Sequence, residues 1–497
     1  MNVFLVTESI NNSGLGHLTR CLSLYHAFEE KNITPKMIIN SDVAPREVVG
    51  RANILQFNWL KNKNRLYKIL ERADVVVVDS YLAGWDFYRT ISRLAKVPVY
   101  FDDNKRLFYP SGIVINGALN AEKLNYPAKD YIRYLLGRQF IPLRKEFWEI
   151  SPKQTRNNIR TILISLGGSD SRNLTAKILK SVNKSYPHQT KKIVIGFDFK
   201  NLKDIEQAKD KNTELVFSPD AETMKKLMME ADVAISAAGQ TLYELARIGT
   251  PAVAIAVVGN QLNNVKAWEE TALIKYAGWW RDKELINRMK ACLKELENKK
   301  LRRDISYRGR ILVDGRGSKR IVKTILDTVC QDQGFYVRKA NLQDAKNVFE
   351  LSNDVYVRQN SINRNKILWS AHLKWFKNKI ADSHYDFFVI YNNTDEFIGQ
   401  TRFEILNNYA IISISVAEKF RGKGLSSKIL NNSCQHVFQS HRSLKKILAY
   451  IRPANISSIH SFKKAGFTFF KEEKINKEEF YVFILNRRGF NISRHEH

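Results

Sequence analysis

The residues whose types and spacing point most directly to chemistry lie near the start of the chain. Gly14, Gly16, His17 and Arg20 form a Gly-x-Gly-His-x-x-Arg pattern, with Ser13 beside it. Glycines let a phosphate or a sugar approach the backbone, and the amides that open a helix favour an anion. A histidine that is neutral near pH 7 can take a proton from water, or it can orient a sugar. The pattern therefore predicts a phosphate-bearing ligand here, with His17 as a base or an orienting group, and it disfavours a histidine that only caps a helix.

Further polar residues follow predicted strands, where open α/β sheets place their ligands. Asp79 and Tyr81 come at the end of the apolar run 73–79, although a helix cap explains Asp79 equally well. Asp102 and Asp103 also end a strand, but a solvated turn is the favoured interpretation for that pair. Two glycine turns, a glutamate in the first turn of a predicted helix and one polar pair complete the candidate binding set: Gly167, Gly168, Ser169, Gly239, Gln240, Thr241, Glu244, Asn260 and Gln261.

These residues need parallel strands and helices to position them. The run 2–7 is typical of a buried parallel strand, and apolar residues recur at helical spacing over 18–28. A polar stretch at 151–158 predicts a hinge, after which a second α/β series begins. We therefore expect two Rossmann-like domains, 1–150 and 151–330, with a ligand in the cleft between them.

A third region, 335–487, has a different order of elements. Its predicted antiparallel meander leads to the turn Arg421-Gly422-Lys423-Gly424, which opens a helix at Ser426, and the last predicted strand is 478–484. Asn455 opens a second helix between two of the later strands. Sheet, glycine turn, helix, strand, helix and strand make an α+β order that is typical of acyltransferases.

Composition excludes several classes of protein. The chain has 497 residues, of which 44% are hydrophobic, so it is globular, and two or three domains are expected. We find no apolar run long enough for a membrane span and no signal peptide at the start. Four scattered cysteines fit a reducing cytoplasm. The net charge of +30 would suit nucleic acid, but Lys and Arg are spread along the whole chain, so no nucleic-acid partner is expected.

Residues 1–330 resemble the UDP-sugar hydrolases of the pseudaminic acid pathway, within a wider spore-coat-polysaccharide-type family of GT-B-type fold. The resemblance rests on the motifs at 14–22, 79–81, 136–147, 166–170, 241–244 and 260–261. It implies UDP binding without a metal, with the diphosphate at the helix starts 168–169 and 239–240 and His17 as the hydrolase base. It also implies that Glu244 faces the ribose and that Asn260 and Gln261 lie near the leaving phosphate or the sugar. The alternative for Glu244 is a glutamate favoured by the helix dipole, and the alternative for Asn260 and Gln261 is an ordinary turn.

Residues 335–487 resemble the Gcn5-related N-acetyltransferases, and the segment 372–376 looks like the aminosugar N-acetyltransferase of the same pathway. The resemblance implies acetyl-CoA as co-substrate, with its pyrophosphate on the amides of 422–427. Glu404 is a candidate base, or else a solvated strand residue. The family's tyrosine general acid is replaced by Phe462, so Ser461, a water or another group would protonate the thiolate. The implied acetyl-CoA-binding residues are Val416, Arg421, Gly422, Lys423, Gly424, Ser426 and Asn455.

Together the two resemblances predict a bifunctional enzyme of pseudaminic acid biosynthesis. It would N-acetylate a UDP-4-amino-sugar and hydrolyse UDP-2,4-diacetamido-2,4,6-trideoxy-β-L-altropyranose to UDP and the free sugar. A UDP-sugar-dependent glycosyltransferase fused to an acetyltransferase is the first alternative. A nucleotide-sugar sensor that binds without turnover is the second, and release of UDP with or without an acceptor distinguishes all three.

Overall fold

The computed structural model describes residues 1–8, 16–41, 52–71, 73–196, 198–259 and 261–487. It divides into two compact units. The α/β unit comprises Val3–Glu30 and Thr34–Val322, and the α+β unit comprises Met1–Asn2, Lys31–Ile33 and the chain from Lys323 on.

The first half of the α/β unit is a seven-stranded parallel sheet with the order β3-β2-β1-β4-β5-β6-β7. The central strand is a run of four valines and an aspartate, all buried, because helices cover both faces of a parallel sheet. The elements are β1 Val3–Glu8, α1 Gly16–Glu29, β2 Lys36–Asn40, β3 Ile54–Gln56, α2 Lys63–Leu70, β4 Val75–Asp79, α3 Trp85–Leu94, β5 Val97–Phe101, β6 Gly112–Asn116 and β7 Ile132–Leu136.

The second half is a six-stranded parallel sheet with the order β10-β9-β8-β11-β12-β13. Its last strand, β13, is absent from the sequence-based expectation. The elements are β8 Thr161–Ser165, α4 Leu174–Ser185, β9 Thr190–Ile195, α5 Leu202–Ala208, β10 Thr213–Phe217, α6 Ala221–Glu230, β11 Val233–Ala237, α7 Thr241–Ile248, β12 Ala252–Ala256, α8 Gln261–Thr271, β13 Ile274–Trp279, α9 Leu285–Glu295, α10 Lys299–Leu312 and α11 Gly317–Gln333.

The α+β unit is built on a seven-stranded sheet with the order β14-β15-β16-β17-β18-β20-β19. All neighbouring strands are antiparallel except β17 and β18, which run parallel. The elements are β14 Tyr336–Lys339, α12 Ala345–Ser352, α13 Val355–Asn360, α14 Trp369–Ala381, β15 Tyr385–Tyr391, β16 Phe397–Ile405, β17 Tyr409–Val416, α15 Leu425–Ser440, β18 Lys446–Ile451, α16 Ile456–Lys464, β19 Thr468–Ile475 and β20 Glu478–Asn486.

The predicted fold class is confirmed: two parallel α/β sheets are followed by a mixed α+β sheet. The edge strand β19 is a further element that the sequence-based expectation lacks. Along the part of the chain that the structure describes, no helix is both long and apolar enough to cross a bilayer.

Candidate functional site

A cavity of about 240 Å³ lies in the α/β unit, where the carboxyl ends of strands from its two sheets face each other. Side chains that follow β1, β4, β5 and β6 form one wall, and those that follow β11 and β12 form the other. The structure therefore brings residues from distant parts of the sequence to one place. The candidate residues that line the cavity are Gly16, His17, Arg20, Tyr81, Gly239, Gln240 and Gln261.

His17 is the second residue of α1 and is held by a carboxylate. Its Nδ1 lies 2.6 Å from Oδ1 of Asp79, and both side chains are buried. The same Nδ1 lies 3.0 Å from Nη2 of Arg20, which can only donate. In the tautomer with its hydrogen on Nδ1, the ring donates to Asp79 and has its lone pair on Nε2. The ring of Tyr81 packs edge-on against His17, with the ring centroids 4.5 Å apart. The structure thus places the imidazole of His17 at the cavity, held at Nδ1 by Asp79.

Arg20 joins Asp79 to a second carboxylate, Asp103. Its Nε and Nη2 donate to Asp79 at 2.9 and 2.8 Å, and its Nη1 donates to Asp103 at 2.5 Å. Burial alone would lower the pKa of Arg20, but Asp103 and Asp79 raise it well above its ordinary value. The guanidinium also lies over the ring of Phe101, 5.1 Å from its centroid. Arg20 is therefore fixed within the cavity wall by its two carboxylate partners.

Asp103 is the main functional candidate that sequence reasoning missed. Its side chain is 28% exposed, lines the cavity and accepts a hydrogen bond from the hydroxyl of Tyr81 at 2.5 Å. Burial would raise the pKa of Asp103, yet Arg20 and Tyr81 hold it below its ordinary value. Asp102, beside it, is buried and accepts from the amides of Asn104 and Arg106. The expectation of a solvated turn at this pair is wrong. Its position at a strand end, the signal that selected Asp79, was the signal that could have found it.

The start of α7 forms the opposite wall of the cavity. Gly239 and Gln240 line it, and within the described chain no side chain caps this helix start. Gln240 Nε2 donates to the carbonyl of Pro142 at 2.8 Å, and Gln261 Oε1 accepts from the amide of Val257 at 2.8 Å. Thr241 is the first residue of α7, next to the lining residues. The amide of Gly239 donates to the carbonyl of Ala237 at 2.8 Å, so the start of α7 at Gln240 is the part of this wall that favours an anion.

Glu244, which the resemblance places at the ribose, is paired with Arg144. Both of its oxygens accept hydrogen bonds from Arg144, Nε at 2.7 Å and Nη2 at 2.8 Å, and it is not among the residues that line the cavity. The two side chains are 6% and 17% exposed. Arg144 comes from the segment that joins the two halves of the unit, so the pair ties that segment to α7.

The earlier glycine turn is also away from the cavity. Gly167, Gly168 and Ser169 are absent from its lining. The carboxylate of Asp170 accepts from the amides of Leu174 and Thr175 at 3.0 and 2.9 Å, at the start of α4. A side-chain carboxylate thus occupies the helix start at which the resemblance implies a diphosphate.

In the α+β unit the glycine turn 421–424 follows β17, the strand that runs parallel to β18 and then diverges from it. The pairing of β17 with β18 ends at Ile412, although β17 continues to Val416. Gly422 and Gly424 have φ of 73° and 70°, and nothing lies within 4 Å of a Cβ added at either position. Lys423 lies over the ring of Phe420, 5.4 Å from its centroid. The turn therefore has open space beside its backbone, at the start of α15.

Arg421 anchors this turn. Its Nε donates to the carbonyl of Val416 at 2.9 Å, and its Nη2 donates to Asp354 at 2.6 Å. Ser426, the second residue of α15, is partly buried. Arg421 thus holds the end of β17 and the start of α13 together, and its charge is paired with Asp354.

The start of α16 lies in the same unit and presents several polar groups. Asn455 Oδ1 accepts from the amide of Ser458 at 3.1 Å and caps the helix. The hydroxyl of Tyr356 lies 2.8 Å from Oγ of Ser457 and 3.3 Å from Oδ1 of Asn455. Phe462 is buried and packs against Phe467. The hydroxyl of Tyr356, from α13, therefore reaches the start of α16. In this helix Phe462 stands where the resemblance implies a tyrosine.

Glu404 lies at the far end of its strand from this region. It pairs with Ile411 near the start of β17, whereas Gly399 pairs with Val416 at the end of β17. Five residues of strand separate Glu404 from Gly399, which is roughly 17 Å. The structure does not bring Glu404 to the end of β17 at which the glycine turn begins.

Three candidates, Ser13, Gly14 and Asn260, lie outside the described residues. Over the ranges that are described, no group of three or more His, Cys, Asp or Glu side chains is arranged to hold a metal ion.

Comparison with known families defines the class of protein. Residues 161–308 match the glycosyltransferase family 28 C-terminal domain, and residues 335–468 match the acetyltransferase (GNAT) domain. The chain therefore combines a domain of the glycosyltransferase type with an acetyltransferase domain, and it is an enzyme.

Individual relatives extend this result. The chain is 28% identical over 316 residues to "Pseudaminic acid cytidylyltransferase and UDP-2,4-diacetamido-2,4,6-trideoxy-beta-L-altropyranose hydrolase" of Helicobacter pylori, which covers 62% of this chain and 52% of that protein. It is 24% identical to the spore coat polysaccharide biosynthesis protein SpsG of Bacillus subtilis, over 67% of this chain and all of that one. Uncharacterized protein MJ1062 of Methanocaldococcus jannaschii is 23% identical over 98% of this chain and 100% of its own. The predicted kinship with the hydrolase and spore-coat proteins, and the fusion to an acetyltransferase domain, are confirmed.

Among solved structures, spermidine N-acetyltransferase from Vibrio cholerae is 18% identical. It covers 32% of this chain and 98% of its own, with a TM-score of 0.30.

Proposed function

We propose that the α/β unit hydrolyses a UDP-linked sugar and that the α+β unit transfers an acetyl group to an amino-sugar. The observation that carries the first part is the polarity of the cavity. One wall holds the imidazole of His17 and the carboxylate of Asp103, and the other presents the uncapped start of a helix. A ligand with a neutral sugar at one end and a diphosphate at the other is complementary to this arrangement.

The hydrolytic step uses the tautomer of His17 that has its hydrogen on Nδ1 and its lone pair on Nε2. Nε2 takes a proton from water, the water oxygen bonds to the anomeric carbon, and the bond from that carbon to the diphosphate oxygen breaks. UDP leaves with the bonding electron pair, and the start of α7 at Gln240 stabilises its charge. Asp79 keeps the ring oriented and stabilises the imidazolium that forms, because the Nδ1–H of the ring points at its carboxylate.

The relatives support UDP-2,4-diacetamido-2,4,6-trideoxy-β-L-altropyranose as the substrate. The Helicobacter pylori protein is named as the hydrolase of that compound, and this chain spans about half of its length. The activity of that whole protein therefore comes to this chain as a proposal for the α/β unit.

For the α+β unit we propose acetyl-CoA as the acetyl donor, and the residues present fit it. Gly422 and Gly424 leave open space beside the backbone at the start of α15, where pyrophosphate oxygens could accept from the amides. The end of β17 beyond Ile412 and the helix start at Asn455 flank the same region. Acetyl-CoA would supply a thioester that is open to attack by the amine of the sugar. Acetylation of a UDP-4-amino-sugar would produce the diacetamido substrate of the other unit.

The test of the hydrolase is release of UDP from the purified full chain with the diacetamido UDP-sugar. Hydrolysis predicts UDP and free sugar in equal amounts without any acceptor. Release only after an acceptor is added would indicate a glycosyltransferase, and binding without release would indicate a sensor. His17→Ala should abolish release while UDP binding, measured by calorimetry, persists, and full release by this variant would overturn the base assignment.

The acetyltransferase is tested separately. Free thiol is followed after acetyl-CoA and a UDP-4-amino-sugar are added, with the same sugar lacking the amine as control. Thiol release that requires the amine supports the proposal, and its absence contradicts it.

A further inference from the structure

The carboxylate of Asp103 has no role in the hydrolytic step described above, although it lines the cavity. It accepts hydrogen bonds on both oxygens, from Arg20 on Oδ1 and from Tyr81 on Oδ2, each at 2.5 Å. Apart from His17, the described lining residues with ionisable acidic or basic side chains are Arg20 and Asp103. The position of Asp103 in the cavity and its two short hydrogen bonds suggest that it acts on the ligand through Arg20 or Tyr81.

The direction of the hydrogen bond to Tyr81 is determined by chemistry. An ionised carboxylate only accepts, so the hydroxyl hydrogen of Tyr81 points at Asp103. Burial and Asp103 both raise the pKa of Tyr81, so the phenol keeps its proton at neutral pH. A phenol has a single hydrogen to donate. Tyr81 can therefore offer a ligand in the cavity only the lone pairs of its oxygen.

Arg20 is also oriented by Asp103. Its Nε and Nη2 donate to Asp79 and its Nη1 donates to Asp103, so the guanidinium faces two carboxylates. The positive charge of Arg20 is thus balanced by the carboxylates of Asp79 and Asp103. This pairing disfavours a diphosphate at this wall. The sugar end of a ligand is what this wall suits.

We infer that Asp103 is a positioning residue that makes Tyr81 a hydrogen-bond acceptor for the sugar. The group it would accept is an N–H or O–H donor near the anomeric carbon, such as the N–H of an acetamido substituent. The inference rests on the proposed hydrolase. It assigns specificity for a sugar with such a donor to the Asp103–Tyr81 pair, and it assigns the orientation of Arg20 to the same carboxylate.

The first variant is Asp103→Asn, which keeps the shape but can turn an amide N–H towards Tyr81 and so reverse the hydrogen bond. We expect kcat/KM for the diacetamido UDP-sugar to fall by about tenfold or more, as expected for loss of a hydrogen bond to a charged group. Tyr81→Phe should also lower kcat/KM, and the double variant should be no worse than Asp103→Asn alone, because Asp103 acts on the sugar through Tyr81. Asp103→Glu, which keeps the charge and the acceptor, should regain part of the rate. Asp86→Asn is the matched control, since Asp86 is an exposed aspartate on α3 of the same unit.

A second readout needs no substrate. In protein labelled with ¹³C at the tyrosine Cζ, the Tyr81 signal, assigned by its loss in Tyr81→Phe, reports whether the phenol donates to a carboxylate. We expect it to shift in Asp103→Asn and to stay in place in Asp86→Asn, with melting temperatures recorded to confirm that each variant is folded.

The outcomes separate the two proposals. An unchanged Tyr81 signal, additive losses in the double variant, or a rate for Asp103→Asn within about twofold of wild type would each overturn the inference. If the wild-type chain releases no UDP, the proposed function fails, and the ¹³C signal alone decides whether Asp103 sets the direction of the Tyr81 hydroxyl. If Asp103→Asn is unfolded, Asp103→Glu takes its place, and a Tyr81 signal in that variant equal to wild type supports the inference while a shifted one contradicts it.

Discussion

Arg144 and Glu244 form a buried ion pair. Variants that break it test whether Glu244 stabilises the fold or binds the ligand. Arg144→Met removes both hydrogen bonds and leaves the Glu244 carboxylate, 6% exposed, without a cation. Breaking a buried ion pair on one side costs about 3–5 kcal/mol. In a unit of this size one kcal/mol lowers the melting temperature by about 2 °C, so the expected loss is about 6–10 °C.

The double variant Arg144→Met/Glu244→Gln tests the origin of that loss. A glutamine carries no charge, so the buried position opposite the introduced methionine no longer holds an unpaired carboxylate, and part of the melting temperature should return. The measurement is the melting transition of the α/β unit by calorimetry, with wild type and the two single variants in the same buffer. A double variant that melts below Arg144→Met would show that the unpaired charge is not the source of the instability.

Glu244→Gln alone tests the ribose role that the resemblance implies. Because Glu244 is paired with Arg144 and does not line the cavity, UDP affinity by calorimetry should change by less than about threefold, while the melting temperature falls. An affinity loss of more than about tenfold at an unchanged melting temperature would refute this reasoning and return Glu244 to the ribose.

Three further predictions concern other parts of the chain. Burial lowers the pKa of Lys153 to about 7, so above that pH the unfolded chain binds more protons than the folded chain. The free energy of unfolding should therefore rise between about pH 7 and 10. Urea unfolding at both ends of this window measures the rise, which should be lost in Lys153→Met. Gly424→Ala forces a side chain into φ of 70°, so CoA binding by calorimetry should weaken, whereas Gly84→Ala, at φ of −95° with open space, serves as control. Glu404→Gln should leave acetyl transfer within about twofold, and a loss above about tenfold would support Glu404 as the base.

Much of the fold was predictable because parallel strands buried on both faces carry continuous apolar runs. The valines of β4 and the apolar run of β5 are such strands, and both were expected from the sequence. The edge strand β19 was not expected, because its residues are mostly exposed and show no alternation of buried and exposed positions. The strand β13 was missed as well, and its register shifts at Ile255 where it pairs with β12.

The candidate site divides in the same way. The glycine and histidine pattern at the first helix, and the polar ends of β4 and β11, were visible in the sequence because strand ends at one sheet edge must lie near one another. Asp103 also follows the end of a strand, but the local sequence does not show that it accepts hydrogen bonds from Arg20 and Tyr81, because these partners are distant along the chain.

The sequence by itself determined most of the order of the elements, the class of each sheet and the residue types able to bind a phosphate and move a proton, because these depend on local pattern. Only the tertiary structure decided which charges meet. The pairing of Arg20 with Asp79 and Asp103, and of Arg144 with Glu244, joins residues from 59 to 100 positions apart. Such pairs depend on how strand ends and helix starts pack in space, and a carboxylate that is buried beside a guanidinium has a different chemistry from the same residue in water.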